Sequence, residues 1–408
     1  MTPADPAARA GAVLEIDLGA VVANWRLLAG KAAPAQCAAV VKADGYGLGA
    51  AAVASALHKA GCRIFFVATL DEGIALRAAV GTDPEIAILN GPLPGTAPEF
   101  ATHALIPVLN HPGQVEEWAS LVSLLRRGRG RDPSRQRWEG EGGSAATPSP
   151  GFGLRPQPPS PALRERGSAI LHIDTGMSRL GLSAREFEKL VRKPPAIAWR
   201  AVMSHLACAD EPEHARNEAQ FARFIAARAK LSNVPASLAA SSGIFLGPDY
   251  HFDLVRPGAA LYGVNPQPGT QNPMRPVVRL TAKILQIREI DGGESVGYGA
   301  AHVMAGPGRL ATATVGYADG WLRSFSHRGC GRIGGQRVPL VGRVSMDLAS
   351  FDVTAVDPAL LHPSAAIELL GGEYGVDEAA ADAGTIGYEI LTALGRRYHR
   401  VYRGAAPE

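Results

Sequence analysis

The 408-residue sequence has few aromatics, 6% of residues, and only four cysteines. It also lacks any uninterrupted apolar run of about 18 residues, the length a membrane-spanning helix requires, so no membrane is expected as a partner. The cysteines, Cys37, Cys62, Cys208 and Cys330, lie far apart, with no C-x-x-C pair and no His-rich tract beside them. That spacing argues against a zinc site or a disulfide framework, so reduced thiols and no metal are expected. Residues 1–10 carry two prolines and an acid where a signal peptide has a basic and then an apolar segment, and a cytoplasmic protein is expected. Charge of one sign is scarce too: 41 Lys and Arg against 38 Asp and Glu leave a formal net charge of +3. Residues 126–167 hold nine Arg, four acids, eight Gly and seven Pro, so this stretch alone is +5 and the rest of the chain −2. No basic body remains for nucleic acid, and none is expected as a partner. The stretch has no hydrophobic periodicity and reads as a disordered surface insertion, either a tolerated solvated loop or an Arg-rich tether for RNA or an acidic partner.

What is present is core, 46% hydrophobic residues, enough for two domains. Short apolar or β-branched runs recur at 38–42, 63–67, 86–89, 105–109, 169–173, 200–203, 236–240 and 259–263. Between them lie stretches with the helical period, such as 50–60, 72–80, 184–191 and 217–229. Eight strands alternating with helices predict an α/β fold, a (β/α)8 TIM-like barrel over residues 12–265 that carries the 126–167 insertion. Chemistry is expected at the C-terminal ends of its strands. Strand-like segments separated by Gly-rich turns follow at 277–290, 309–315, 337–344 and 349–353, predicting a C-terminal mostly-β domain over 266–408. The early segment 13–18 also reads as a strand, outside the count of eight, and is free to join either domain.

One lysine stands out. Val40-Val41-Lys42-Ala43-Asp44-Gly45-Tyr46-Gly47-Leu48-Gly49 places Lys42 at the end of an apolar strand before a glycine-rich turn. Taken alone, Lys42 is either a side chain snorkelling at a strand end or an amine whose pKa burial lowers so that it can form a Schiff base. The glycines form neither a Walker loop nor a G-x-G-x-x-G fingerprint.

The phrase closely resembles the cofactor-lysine motif of alanine racemases, pyridoxal-phosphate enzymes built on a barrel plus a β domain. Further matches follow in the same order: His172-Ile173-Asp174-Thr175-Gly176-Met177-Ser178-Arg179-Leu180-Gly181, Ser204-His205-Leu206-Ala207, Val255-Arg256-Pro257-Gly258-Ala259-Ala260-Leu261-Tyr262-Gly263, Ser295-Val296-Gly297-Tyr298-Gly299, Val315-Gly316-Tyr317-Ala318-Asp319-Gly320 and Val341-Gly342-Arg343-Val344-Ser345-Met346-Asp347. The resemblance covers nearly all of the chain except the insertion and the extreme termini.

It implies that Lys42 binds pyridoxal 5'-phosphate and acts as one of two acid/base groups, because racemisation removes a proton from one face of Cα and returns it on the other. The implied second base is Tyr298. A free tyrosine has a pKa of about 10, so His205 and Arg256 are expected to supply positive charge near it. Arg256 is also implied to face the pyridine nitrogen. The cofactor phosphate is implied to meet Tyr46, Ser241, Gly258, Ala259 and Tyr388, and Arg179 to bond the cofactor's phenolic oxygen. Tyr317 and the Met346 N–H are implied to contact substrate, L-alanine or D-alanine. Because Tyr298, Tyr317 and Met346 belong to the β domain, a homodimer with shared active sites is implied, supplying D-alanine for peptidoglycan.

The sequence departs from the family pattern at His172, where many relatives carry a lysine, often carbamylated, that pairs with the arginine matched by Arg179. Chloride or a nearby carboxylate is expected to compensate Arg179 instead. Ala240, Leu48 and Ser345 replace an asparagine, a histidine and a cysteine common in relatives. The alternatives are a racemase of broader specificity, for serine or basic amino acids, a related pyridoxal-phosphate decarboxylase, and a non-catalytic cofactor-binding protein. Deletion of residues 126–167 is expected to leave fold and activity intact, since lengthening a surface loop costs little free energy; circular dichroism and turnover of the shortened chain check it.

Overall fold

The computed structural model describes residues 6–128, 167–231, 233–362 and 365–404. The insertion expected at 126–167 lies, apart from its two ends, outside the described residues.

The first strand, β1 (Ala12–Asp17), precedes the barrel. The barrel begins with two pieces of one strand, β2 (Gln36–Cys37) and β3 (Ala39–Val40). It continues through β4 (Ile64–Val67), β5 (Glu85–Ile88), β6 (Ile106–Leu109), β7 (Ser168–His172), β8 (Ala198–Met203) and β9 (Ala236–Ser237), with β3 to β9 side by side in chain order. The next strand, β10 (Leu254–Val255), pairs in parallel with β2, and a bridge from Ala240 to Arg256 ties it to the continuation of β9. Ala38 N–H donates to Val255 O (3.0 Å) and Val40 N–H to Pro257 O (2.9 Å), which closes the ring. Strands such as β4 are buried along their whole length, as parallel strands covered on both faces must be. The outer helices start on side-chain caps. Thr69 and Glu72 form a capping box for Leu70–Val80, and Ser183 and Glu186 one for Ala184–Arg192.

The eighth strand corrects the sequence reading. Residues 259–263 are not a strand but a 3-10 turn, Ala259–Tyr262, closed by Gly263 at φ 89°. The strand is β10, a few residues earlier. Pro257 has no N–H to continue a ladder, so the chain turns there, and the apolar run that looks like a strand is a buried turn.

β1 belongs to the second domain. It pairs antiparallel with β11 (Val278–Ile290) and parallel with His399–Arg403, the last strand described. β11 is long enough to pair with both Ala366–Leu370 and Gly308–Ala313, with a register shift between Ile284 and Gln286 that bends it. The antiparallel sheet between those two partners runs through Ala349–Asp352, Gln336–Val341 and Cys330–Ile333, so the second domain closes on itself. Closure leaves that ring without open edges, while β1 and His399–Arg403 extend the sheet beyond it, with His399–Arg403 at its free end. Among the described residues no helix is long and apolar enough to cross a membrane.

Buried side chains of the two domains form one contiguous cluster, from Leu14 through Tyr262 to Tyr398. The contact reaches the turn after Lys42: Tyr402 donates its hydroxyl to Leu48 O (3.0 Å), and a Cβ at Gly47 would lie 2.4 Å from Leu391 O. Gly47 also has φ 82°. Gly47→Ala adds left-handed strain and a backbone clash, and is expected to cost about 2 kcal/mol or more. Denaturant unfolding checks it, with a midpoint equal to wild type as the contrary result.

Candidate active site

The C-terminal ends of the barrel strands gather one cluster of titratable side chains around Lys42, which directly follows Val41. The next five residues are all left-handed: Ala43 at φ 53°, Asp44 at 52°, Gly45 at 64°, Tyr46 at 54° and Gly47 at 82°. For the three that are not glycine this costs about 1–2 kcal/mol each. The turn is held by its own bonds, Gly45 N–H to Val41 O (2.9 Å) and Gly47 N–H to Ala43 O (2.7 Å). Two carboxylates tie it to its neighbours, one from within the turn and one from outside. Asp44 accepts from Ala50 N–H (2.9 Å), and Glu72 accepts from Ala43 N–H (2.7 Å).

Lys42 is half-buried. Burial lowers its amine pKa, the nearby Arg179 guanidinium lowers it further, and Glu72 works against both. A larger neutral fraction is what carbonyl addition requires.

Arg256 is buried among neutral acceptors: its guanidinium donates to Ser237 Oγ, to Ser204 O (2.6 Å) and to Leu238 O (3.4 Å). Burial lowers its pKa to about 10, so it stays charged near neutrality. His172 Nδ1 lies 2.7 Å from Asn110 Oδ1. Asn110 gives its amide hydrogens to Leu89 O and Val108 O, both at 3.0 Å, which fixes Oδ1 as the acceptor and leaves the proton on His172 Nδ1. Burial, then Arg256, lowers the pKa of His172 to about 4. His205 falls to about 3, through burial first and then Arg256, Arg179, His172 and Lys42. Both imidazoles are neutral at physiological pH. His205 therefore does not supply positive charge, contrary to the sequence expectation: a second cation beside Arg256 in a low dielectric is too costly.

The opposite side of the mouth is a cradle of neutral donors. Ser241 Oγ accepts from Gly258 N–H (3.0 Å) and Ala260 N–H (3.2 Å). Tyr46 reaches the same place, since a Cβ on Gly258 would lie 2.3 Å from the Tyr46 hydroxyl, so only glycine admits it. Tyr46 stacks on Tyr262 (ring centroids 4.6 Å apart) and tilts against Tyr388 (6.1 Å), which comes from the second domain. Burial raises the phenol pKa of both Tyr46 and Tyr388, so each keeps its donor proton. Ala259 is buried behind them. Hydroxyls and backbone N–H groups converging near the last strands of a barrel suit a phosphate dianion. Together with an amine at Lys42 and a cation at Arg256, these donors fit pyridoxal phosphate.

Arg179 follows a turn built by Asp174, whose carboxylate accepts from the N–H groups of Gly176 (2.8 Å), Met177 (2.8 Å) and Ser178 (3.0 Å). Burial opposes ionisation of Asp174, and the three donors outweigh it. Arg179 itself is exposed, and among the described residues no carboxylate pairs with it. The expected compensating carboxylate is thus not found; Asp174 is committed to backbone.

The second-domain residues lie apart from this cluster. Tyr298 is 74% exposed, Tyr317 44% and Met346 54%. They share one face: Ala318 N–H donates to Met346 O (3.0 Å), Arg397 pairs with Asp319 (3.1 Å) and Asp347 (2.8 Å), and the Gly299 backbone passes the Arg343 guanidinium. Among the described residues no hydrogen bond or ring contact joins that face to Lys42. Sequence reasoning passed over Glu72, Asn110 and Tyr262. Of these only Glu72 left a signal, the Thr-x-x-Glu of a capping box at 69–72.

Known proteins place this arrangement. Residues 16–129 and 160–266 match the family described as the alanine racemase N-terminal domain, and residues 277–402 the alanine racemase C-terminal domain. A catabolic alanine racemase of Mesorhizobium japonicum is 48% identical over 400 residues, covering 97% of this chain and 94% of the relative. An alanine racemase of Rhodospirillum rubrum is 47% identical, covering 97% of both. Among solved structures, the alanine racemase of Bartonella henselae with covalently bound pyridoxal phosphate aligns with a TM-score of 0.82 at 38% identity, over 96% of this chain and 99% of that one. Its two-domain fold and the length of these matches establish that the chain belongs to the alanine racemase family.

Proposed function

We propose that the protein interconverts L- and D-alanine with pyridoxal 5'-phosphate bound at Lys42, as a homodimer whose two sites are shared, and that it supplies D-alanine for peptidoglycan. The observation that carries this reading is the pairing of a half-buried, pKa-lowered Lys42 with the neutral cradle of Tyr46, Ser241 and Gly258 across the same mouth. When bound, the cofactor supplies an electron sink that makes the substrate Cα proton acidic.

The remaining chemistry is assigned to this chain's side chains. Ser241, Tyr46, Tyr388 and the backbone at Gly258 and Ala259 hold the phosphate. Arg256 donates to the ring nitrogen without surrendering its proton, since a buried guanidinium with a pKa of about 10 remains charged. That limits electron withdrawal and favours rapid return of the proton over side reactions. His205, neutral, takes the role of a hydrogen-bonding partner rather than a charge. Arg179 orients the cofactor and the substrate carboxylate. Lys42 moves the proton at one face of Cα and Tyr298 of the partner subunit at the other. Tyr317 and the Met346 N–H complete the substrate pocket from the same second-domain face, which is exposed in the single chain.

We take residues 12–265 as the cofactor-binding unit and 266–408 as the second unit, the early strand belonging structurally to the latter. A cytoplasmic setting agrees with the free cysteines, Cys37, Cys62, Cys208 and Cys330.

Racemisation is tested by supplying L-alanine to the holoenzyme in heavy water; D-alanine labelled at Cα is expected, and absence of Cα exchange refutes the reading. Lys42→Ala is expected to abolish the visible absorbance of the bound cofactor and reduce turnover at least about 10³-fold. Tyr298→Phe should keep the absorbance yet lose about 10²–10⁴-fold in kcat, with exchange from L-alanine impaired more than from D-alanine. Mixing Lys42→Ala and Tyr298→Phe subunits tests the sharing: one intact site per hybrid dimer restores activity, whereas sites built within one chain would leave every hybrid dead.

A further inference from the structure

We propose that Glu72 is a positioning residue for Lys42: by joining the first N–H of the left-handed turn to the start of the following barrel helix, its carboxylate fixes where the lysine leaves its strand. The proposal rests on Lys42 being the cofactor lysine.

The carboxylate is divided between two elements. Oε1 accepts from Ala43 N–H (2.7 Å), the residue next to Lys42. Oε2 accepts from Ala68 N–H (2.7 Å) and Thr69 N–H (3.2 Å), at the end of β4 and the cap of Leu70–Val80. Thr69 Oγ1 in turn accepts from Glu72 N–H (3.3 Å). A capping box needs only the bonds to Thr69, and a glutamine can serve it as well as a glutamate. The bond to Ala43 is additional. It lands on the first of the five left-handed residues, where Ala43 at φ 53° pays conformational strain that a charged acceptor can offset.

Geometry makes this more than a helix cap. Ala43 lies 29 positions before Glu72 in the chain, so the bond ties two consecutive βα loops of the barrel mouth together. A glutamine at 72 has one acceptor oxygen. It can keep the cap or hold Ala43, but its amide nitrogen cannot accept from the other N–H. The charges facing the Lys42 amine are Glu72 from this helix and Arg179 from the loop after β7, with the neutral His205 at the end of β8. Glu72 is the one anion among them, so removing its charge leaves the amine facing Arg179 without opposition.

The test compares Glu72→Gln with Thr69→Ala. Competitive acylation of the apoenzyme, read on the Lys42 peptide by mass spectrometry across pH, reports the amine directly and does not depend on turnover. Glu72→Gln is expected to move the Lys42 labelling midpoint to lower pH and to reduce kcat of the holoenzyme about tenfold, with a melting temperature lowered by a few degrees. Thr69→Ala is expected to lower the melting temperature by a few degrees and to leave the labelling midpoint and kcat unchanged. Should Glu72→Gln be too unstable to purify, Ala43→Gly on that background relieves the left-handed strain and gives the same labelling reading. A wild-type midpoint in the charge-free variant, or a Thr69→Ala enzyme that reproduces its shift, overturns the proposal. Neither result touches the racemase reading, which fails separately if Lys42→Ala retains the cofactor absorbance.

Discussion

Everything at the barrel mouth depends on the five-residue left-handed turn that follows Lys42. A right-handed turn here would carry Tyr46 and Gly47 elsewhere, whereas the left-handed one sets Tyr46 against Gly258 and Gly47 against Leu391. One backbone distortion therefore links the lysine, the phosphate cradle and the interface with the second domain. Three non-glycine residues in that conformation cost several kcal/mol in sum, by the usual figure of about 1–2 kcal/mol each. The cost is borne by the surroundings: the Asp44 bond to the next helix, the Glu72 bond to Ala43 and the stacking of Tyr46 on Tyr262. Strain of this kind persists only where the neighbouring structure over-determines it, and here it does so beside the candidate chemistry.

The electrostatics follow the same economy. Arg256 takes the buried positive charge, held by hydroxyl and carbonyl oxygens rather than a carboxylate. Burial first, and then the charge of Arg256, makes protonation of either neighbouring histidine unfavourable, so His172 and His205 become neutral hydrogen-bonding rings. The Asn110 amide oxygen completes the assignment for His172 by accepting from Nδ1–H and leaving Nε2 as an acceptor. A mouth with cations at Arg179, Arg256 and in part Lys42, and with neutral phenols opposite, attracts a ligand bearing a phosphate and a substrate bearing a carboxylate. It is not arranged to stabilise a further cation.

Much of this was legible in the residues, for reasons that can be stated. The strands β4 to β8 are short, mostly apolar runs between turn residues, and such runs are read with little ambiguity when helices alternate with them. The second domain's Cys330–Ile333, Ala366–Leu370 and His399–Arg403 were not expected, because Cys-Gly-Arg-Ile and His-Arg-Val-Tyr-Arg take their strand form from pairing with neighbours and not from their own pattern. The position of β1 was likewise undecidable until its register with β11 set Leu14 opposite Leu280. At the site, Lys42, Arg256 and Tyr46 could be named from a motif. The conformation of Ala43 and Asp44 could not, since neither residue prefers the left-handed region enough to announce it. The charge state of His205 is a sum over burial and four titratable neighbours, and no local stretch of sequence contains that sum.

The exposed face of the second domain sets the last constraint. Lys42 can reach only one side of a substrate carbon, and the chain's other candidate base, Tyr298, stands largely in solvent beside the loops of Tyr317 and Met346. On the proposed reading it lies against the mouth of another copy, where the barrel carries Arg256 and Arg179 with no carboxylate paired to either among the described residues. The same contact would bury the exposed parts of Tyr298, Tyr317 and Met346, a favourable transfer of apolar area out of water. On the proposed reading, association thus does two things with one surface: it removes exposed apolar area, and it brings the second base beside the cations of the barrel mouth. Assembly and catalysis are then coupled through the same three side chains, and a change that weakens one weakens the other.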